Sequence, residues 1–249
     1  MMKSAALLCL LLTQGAIAHY VFPILIVNGT QSARWQYVRD VANISSYAPP
    51  HEEDAKMEPQ YPKFDDKHEV DVRCGRSAQN SANGTETATI VAGSDVAFQV
   101  KSLHVDDNSV NHIFHEGPGS VYMAKSDDLE NDVGDGDWFR ISYEGLIDDK
   151  IWEVEWKEFV NFTIPSTTPP GTYLLRMEQF WPWGNKDRSQ WYVNCAHVNI
   201  VGSGGGTPGP TIKIPEAYHA TDPGILLPTN STGWITEGYK PVGPPVWTG

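Results

Sequence analysis

The sequence has few cysteines, few basic residues and no apolar run long enough to cross a bilayer. Its three cysteines are Cys9, Cys74 and Cys195, and 18 Lys and Arg stand against 31 Asp and Glu, for a formal net charge of -13. An acidic protein of this kind is repelled by nucleic acids and by anionic membrane surfaces, so neither is expected as a partner. An uncharged polymer is not excluded.

The N-terminal residues have the pattern of a secretory signal. Lys3 precedes an apolar run at residues 5–12, and Ala16-Ile17-Ala18 is a small-x-small cleavage site. The run is too short to span a membrane. We therefore expect residues 1–18 to be a signal peptide that is removed, giving a secreted extracellular protein whose first residue is His19.

Removal of the signal also removes Cys9 and leaves only Cys74 and Cys195. In an oxidising compartment these two cysteines are expected to form one structural disulfide. The sequence also has Asn-x-Ser/Thr sequons, which predict a glycoprotein without proving that sugars are attached. They begin at Asn28, Asn43, Asn83, Asn161 and Asn230.

The hydrophobic pattern favours strands over helices. No long amphipathic helix is evident, whereas apolar and polar residues alternate at 69–74, 95–100, 172–176 and 190–200. Short strands with long connections predict an all-β, immunoglobulin/fibronectin-like antiparallel β-sandwich, with long loops at 40–67, 103–114 and 127–137. The glycine-rich segment 202–210 is interpreted as an internal loop, so residues 19–249 are expected to form a single domain.

An N-terminal histidine is an unusual metal ligand because its α-amine and ring Nδ1 can chelate one ion together. Cleavage after Ala18 would place His19 in this role. A second imidazole would give three nitrogens in a T-shaped set, which suits copper better than a hard, oxygen-preferring cation. The sequence therefore predicts one copper ion per chain.

A resemblance to a known family rests on the segment that runs from His115 to Lys125. Its His115-Glu116-Gly117-Pro118 and Tyr122-Met123-Ala124-Lys125 resemble the H-x-G-P-x-x-x-Y-M-A-K segment of the fungal lytic polysaccharide monooxygenases of auxiliary activity family 9 (formerly glycoside hydrolase family 61). Similar stretches follow the same order along almost all of the mature chain: residues 19–23, 27–29, 35–39, 73–74, 136–139, 170–176, 190–192, 195–196 and 218–225.

The resemblance implies a function and a ligand set. His19 and His115 would form a histidine brace around copper, Tyr192 would be the axial ligand, and Gln190 would hydrogen-bond beside it. The enzyme would cleave cellulose or a related β-linked glucan at C1 or C4, using hydrogen peroxide or dioxygen and an external reductant. Possible electron donors are a small phenol, ascorbate or cellobiose dehydrogenase, and the protein is expected to be a monomer.

Other interpretations of these residues remain open at this point. His112 or His104 could replace His115 as a ligand, although no cysteine or third histidine completes a zinc pattern. Tyr192 could be an ordinary core tyrosine. On a strand, Gln190 and Tyr192 share one face, which we expect to carry the chemistry, while Trp191, Val193 and Cys195 face the core.

The chain departs from the family pattern after Arg176. Family members usually continue with His-Glu and then a histidine that hydrogen-bonds beside the metal, but Met177 and Trp183 stand at these two positions. Losing a group that tunes a metal site commonly costs about 10- to 100-fold. Trp181 or Trp183 could donate a hydrogen bond instead. The departure motivates an alternative function, a copper-binding protein with weak or no monooxygenase activity, for copper acquisition, redox signalling or a cell-surface role.

The polysaccharide is expected to bind through exposed aromatic rings, which offer stacking area at little entropic cost. Tyr239 is the best candidate, with Trp234 and Trp183 as further candidates for substrate binding. A third interpretation is a purely carbohydrate-binding β-sandwich, which would have no use for a copper brace.

Overall fold

The computed structural model describes residues 20–41, 70–102, 111–147, 151–184, 189–219, 221–227 and 239–249. Several features that the sequence singles out lie outside these residues: the signal peptide, His19, His104, Trp234, Asn43, Asn230 and most of the expected loops 40–67 and 103–114. Within the described ranges, no helix is both long and apolar enough to cross a bilayer.

Most of the regular secondary structure in the described chain is β-strand. The strands are β1 Tyr20–Val27, β2 Thr30–Gln31, β3 Ala88–Val91, β4 Asp95–Ser102, β5 Gly119–Lys125, β6 Trp138–Glu144, β7 Leu146–Ile147, β8 Ile151–Trp152, β9 Phe159–Thr163, β10 Gly171–Trp181, β11 Gln190–Val201 and β12 Thr211–Ile212. A short helix, α1 Asp71–Cys74, and a 3-10 helix, Ala78–Gly84, lie between β2 and β3.

Two sheets form the body of the fold. One has four strands in the order β2-β1-β4-β9, and the other has six in the order β12-β6-β5-β10-β11-β3, while β7 and β8 form a separate hairpin. The predicted all-β sandwich is therefore confirmed. One pair departs from the expected antiparallel pattern, because β3 runs parallel to β11.

Both faces of the six-stranded sheet are buried at β10 and β11, which explains why apolar residues occupy consecutive positions there and why the charged Arg176 and Glu178 pair with each other at 2.7 Å. The main core lies between the sheets and includes Phe98, Leu175 and Tyr192. A second cluster covers the opposite face with Trp191, Cys195 and residues of the C-terminal segment. The prediction that the Tyr192 face is a chemical face rather than core is therefore wrong in one respect, since Tyr192 is fully buried in the main core.

The alternating patterns at 95–100, 172–176 and 190–200 are confirmed as parts of β4, β10 and β11. The pattern at 69–74 is misleading, because Asp71–Cys74 is helical. The Gly75 N–H donates to the Asp71 carbonyl, and Gly75 then leaves the helix with φ 101°, a conformation that glycine adopts without a Cβ clash. Short-range alternation alone does not distinguish one helical turn from a strand.

The predicted disulfide is confirmed between Cys74 and Cys195, which are 121 residues apart in sequence, so it ties α1 to β11. The glycine-rich segment 202–210 is held to the sandwich, since the Gly206 N–H donates to the Thr167 carbonyl. Beyond it, Trp247 packs edge-on against Phe139 at 5.4 Å. These contacts support the prediction of a single domain.

His197 is a buried histidine whose charge state couples to folding. Its Nε2 accepts a hydrogen bond from Arg39 Nε at 2.8 Å. Burial, and then the charge of Arg39, lower the pKa of His197 to about 4. In an unfolded chain, histidine has a pKa of about 6.5. Between the folded and unfolded pKa values, the unfolded chain therefore binds a proton on His197 that the folded protein does not.

We therefore expect the free energy of unfolding to fall as pH drops from 6.5 to about 4, by up to roughly 3 kcal/mol from this residue. His197→Gln keeps an acceptor for Arg39 and does not titrate, so it should flatten this part of the profile. Urea unfolding at pH 7 and pH 4.5 measures the effect. His219→Gln, at an exposed histidine, is the control, and equal pH slopes in wild type and His197→Gln would contradict the prediction.

Candidate metal site

His115 lies in the loop that leads into β5 and is held there by its neighbours. Ile113 is fully buried in the main core, and His115 is only 7% exposed. Gly117 has φ 131°, and a Cβ at this position would overlap the Phe180 carbonyl, so only glycine allows the loop to approach β10 so closely. The imidazole of His115 is thus presented by a fixed backbone.

Two tyrosine rings stack beside His115. Tyr20 and Tyr192 have ring centroids 4.1 Å apart and an interplanar angle of 16°. The His115 ring lies 5.7 Å from that of Tyr192 and 6.4 Å from that of Tyr20. Because Tyr20 begins β1 and Tyr192 lies near the start of β11, the stack joins the two sheets at this end of the sandwich.

Gln190 and Tyr192 interact in the way that their period-two spacing allows. The Tyr192 hydroxyl donates to Gln190 Oε1 at 2.5 Å. This bond fixes the direction of the O–H, which can otherwise rotate about the C–O bond. The sequence prediction that Gln190 hydrogen-bonds beside Tyr192 is matched by this contact, while the role of either residue at a metal stays a prediction.

Gln179 is a site residue that the sequence analysis missed. Its Oε1 accepts a hydrogen bond from the Tyr20 hydroxyl at 2.5 Å, and its Nε2 donates to the His115 carbonyl at 3.2 Å. The side chain is fully buried. Burial raises the pKa of Tyr20 well above its usual range, which keeps the hydroxyl a donor. Gln179 therefore connects the first residue of β1 to the loop that carries His115.

Two tryptophans enclose the other side of His115. The Trp181 ring stacks on the His115 ring with centroids 4.1 Å apart and 14° between planes, and Trp183 meets Trp181 edge-on at 4.9 Å. Trp183 is half-buried, and its carbonyl accepts a hydrogen bond from the Leu227 N–H. Met177, which replaces the first family histidine, lies in the main core.

The other candidate residues are placed away from this stack or outside the described residues. His112 lies against Trp156 at 5.0 Å, so the structure brings His115 rather than His112 to the tyrosine pair. Tyr239 is half-buried, packs edge-on against Trp152 at 4.9 Å and donates to the Gly224 carbonyl. These contacts give Tyr239 a packing role, and its role in substrate binding stays a prediction.

In the described part of the chain, no group of three or more His, Cys, Asp and Glu side chains could hold a metal ion. Beside the His115 imidazole, this end of the sandwich carries the phenol of Tyr192, and His19 precedes Tyr20 directly in sequence.

Comparison with known proteins gives a consistent result. Residues 19–239 match the family model of Auxiliary Activity family 9 (formerly GH61). The chain is 46% identical over 260 residues to AA9 family lytic polysaccharide monooxygenase U of Thermothielavioides terrestris, covering 98% of each chain. It is 36% identical to monooxygenase C of Emericella nidulans, covering 94% of each.

Solved structures share the fold. A cellulose-active polysaccharide monooxygenase from M. thermophila superposes with a TM-score of 0.63 at 22% identity, covering 92% of this chain and 99% of the other. HiLPMO9B superposes with a TM-score of 0.67 at 23% identity, covering 93% of this chain and 100% of the other.

Gln179 provides a test of how the site is held together. Gln179→Leu would leave the buried Tyr20 hydroxyl and the His115 carbonyl without their amide partner, at a cost of about 1–3 kcal/mol in the free energy of unfolding. Tyr20→Phe removes the other end of the same bond. We expect the double variant to be less destabilised than the sum of the two single variants, by about 0.5–3 kcal/mol. Urea unfolding of the metal-free proteins measures this coupling, and strictly additive losses would contradict it.

Proposed function

This chain belongs to Auxiliary Activity family 9 and is a copper-dependent polysaccharide monooxygenase, and we propose that it cleaves cellulose or a related β-linked glucan at C1 or C4. The observation that carries the proposal is the placement of buried His115 beside the Tyr20–Tyr192 stack, at the position where His19 joins the chain. The cellulose-active M. thermophila structure shares this fold, which supports the choice of substrate class.

The residues present fit a copper ion. An imidazole and a phenol converge at this end of the sandwich, and borderline nitrogen ligands favour copper over hard cations. Residue 19 is bonded to Tyr20, and neighbouring Cα atoms are about 3.8 Å apart, so we infer that His19 is within reach of the site as a second histidine. We infer that one copper ion per chain would be held by the amine and ring nitrogens of His19, the imidazole of His115 and the phenol oxygen of Tyr192.

Each remaining group has a part in holding this arrangement. Copper, when bound, supplies the one-electron redox chemistry with the reductant and with hydrogen peroxide or dioxygen. Gln190 orients the Tyr192 phenol, and Gln179 fixes the spacing between β1 and the His115 loop. Trp181 covers a face of the His115 ring and keeps water from it. Such neighbouring groups set ligand orientation and the polarity around a metal.

The missing family histidine limits what the surroundings can do with protons. Met177 is a core residue and Trp183 packs on Trp181, so both replacements are apolar packing groups with at most an indole N–H to offer. An indole donates a hydrogen bond but does not release a proton near neutral pH as imidazolium does. We infer that protons reach the site from solvent or reductant. The copper-handling alternative is not favoured, because relatives over nearly the full chain are named as monooxygenases.

The setting of the enzyme follows from the same proposal. We infer a secreted monomer that receives electrons from a small phenol, ascorbate or cellobiose dehydrogenase. The disulfide and the exposed positions of Asn28, Asn83 and Asn161 support an extracellular, glycosylated protein.

His115→Ala should abolish oxidative cleavage. Correctly processed protein, loaded with one equivalent of Cu(II) and freed of excess metal, is expected to release oxidised oligosaccharides from cellulose when reductant and peroxide are added. Removing the His115 imidazole should lower the product yield by at least about 100-fold, since a ligand is lost. Chromatography of the soluble products is the measurement. His219→Ala, at an exposed histidine, is the control, and products from His115→Ala at the wild-type rate would overturn the assignment.

A single residue added before His19 tests the N-terminal ligand separately. A Met-His19 form converts the free α-amine into a peptide nitrogen, which is a far poorer donor, so the affinity for Cu(II) should fall by at least about 100-fold. Calorimetry and the Cu(II) paramagnetic resonance spectrum measure this change. Unchanged affinity and spectrum would show that the amine is not a ligand. The affinity of the native form for Cu(II) should rise with pH, because the α-amine of His19 must lose its proton to bind and such an amine has a pKa of about 8.

A further inference from the structure

A second aromatic cluster extends from His115 to the protein surface. Phe114 meets the His115 ring edge-on at 5.4 Å, and Trp156 meets Phe114 at 5.7 Å. Phe114 is 39% exposed and Trp156 is 60% exposed, although both are large apolar side chains. We call Phe114 and Trp156 the aromatic platform. Its two rings lead from the proposed copper ligand His115 to solvent-exposed positions.

The backbone of Trp156 is held in a conformation that costs energy. Its φ is 66°, a left-handed value that is rare for a bulky residue. The Trp156 N–H donates to the Ile113 carbonyl at 2.8 Å, and the Ile113 N–H donates to the Lys157 carbonyl at 2.9 Å. These bonds fix the platform to the loop that carries His115. Backbone strain of this kind at a residue that does not fill the core is typical of functional positions.

The orientation of the Trp156 ring is also fixed. Glu155 accepts a hydrogen bond from the Trp156 side chain. His112 lies on the ring with centroids 5.0 Å apart and 34° between planes. Because these two contacts already orient the ring, it loses little conformational entropy when a ligand binds. More of the free energy of stacking is therefore available as affinity.

The charges around the platform select for an uncharged ligand. Glu155, which contacts the Trp156 side chain, and Glu116, which follows His115 in the chain, place carboxyl groups near the rings. An anionic polymer would be repelled by them. The apolar faces of neutral pyranose rings stack on aromatic rings without charge, and their hydroxyl edges can bond to carboxylates.

From these contacts we propose that the aromatic platform stacks on a pyranose ring of a neutral β-linked polysaccharide, adjacent to the sugar that is oxidised. The proposal rests on the proposed function, because it takes the polysaccharide as the substrate that meets His115. Trp156 is the residue that fixes where the polymer lies on this side of the site, and Phe114 connects it to the metal ligand. The sequence candidates for stacking did not include either residue.

Three variants separate binding from folding. Trp156→Ala removes the ring but keeps a Cβ, so the backbone strain remains, whereas Trp156→Gly removes both. Trp156→Phe keeps an aromatic ring. The matched control is Val91→Ala, which truncates an exposed apolar residue, 57% accessible and paired with Val201 at the far end of β11 from Gln190. That strand length places the control roughly 35 Å from the site.

We expect Trp156→Ala and Trp156→Gly to raise the Kd for insoluble cellulose and for soluble cello-oligosaccharides about tenfold. This change corresponds to a loss of about 1.4 kcal/mol in binding free energy. Trp156→Phe should recover most of the affinity, and Val91→Ala should match wild type. Cu(II) affinity, measured by calorimetry without polysaccharide, should be unchanged in all four. Thermal unfolding should show Trp156→Gly to be at least as stable as Trp156→Ala.

The outcomes distinguish this inference from the proposed function. If wild type releases oxidised products and both ring-deletion variants bind glucan as tightly as wild type, the platform has another occupant and the inference is wrong. If wild type binds copper but releases no oxidised products from any glucan, the proposed function fails. Weaker binding together with lower Cu(II) affinity or lower thermal stability would assign Trp156 a structural role and also overturn the inference.

Discussion

The stacking of Tyr20 on Tyr192 is the contact on which the rest of the site depends. One ring belongs to the four-stranded sheet and the other to the six-stranded sheet, so their separation of 4.1 Å fixes the distance between the sheets at this end. The bond from Tyr20 to Gln179 and the bond from the Phe22 N–H to Asn194 Oδ1 restrain the same approach. Because His19 is covalently attached to Tyr20, the packing of the sandwich also limits where the proposed ligand His19 can lie.

Sequence reasoning predicted the parts of the fold that depend on local pattern. Alternation at 95–100, 172–176 and 190–200 identified β4, β10 and β11, the cysteine count gave the Cys74–Cys195 bond, and the spacing of Gln190 and Tyr192 placed them on one face. The pattern failed at Asp71–Cys74, where a single helical turn is too short for periodicity to separate from a strand. The parallel pairing of β3 with β11 was also missed, since pairing between segments about 110 residues apart has no local signal.

The residues that complete the site were harder to predict for the same physical reason. Gln179 joins Tyr20 to His115 across separations of 159 and 64 residues, and only the folded chain brings them together. One signal was available, because Gln179 is an amide inside a strand that is otherwise buried, and such a group must find partners. Trp156 gives no such signal, since its left-handed backbone and its exposure appear only in three dimensions.

These contacts give a physical meaning to Met177 and Trp183, which the family resemblance places where two histidines usually occur. Met177 fills the core between the sheets, and the stacked Trp181, with Trp183 behind it, encloses His115 in apolar surface. Apolar surroundings keep water from the ring and disfavour unpaired charge. Packing against Trp181 therefore holds the His115 imidazole in place. A histidine at the position of Trp183 would instead have carried an exchangeable proton. In the proposed site, copper binding therefore depends on groups that the fold holds in place, whereas the protons come from solvent or reductant.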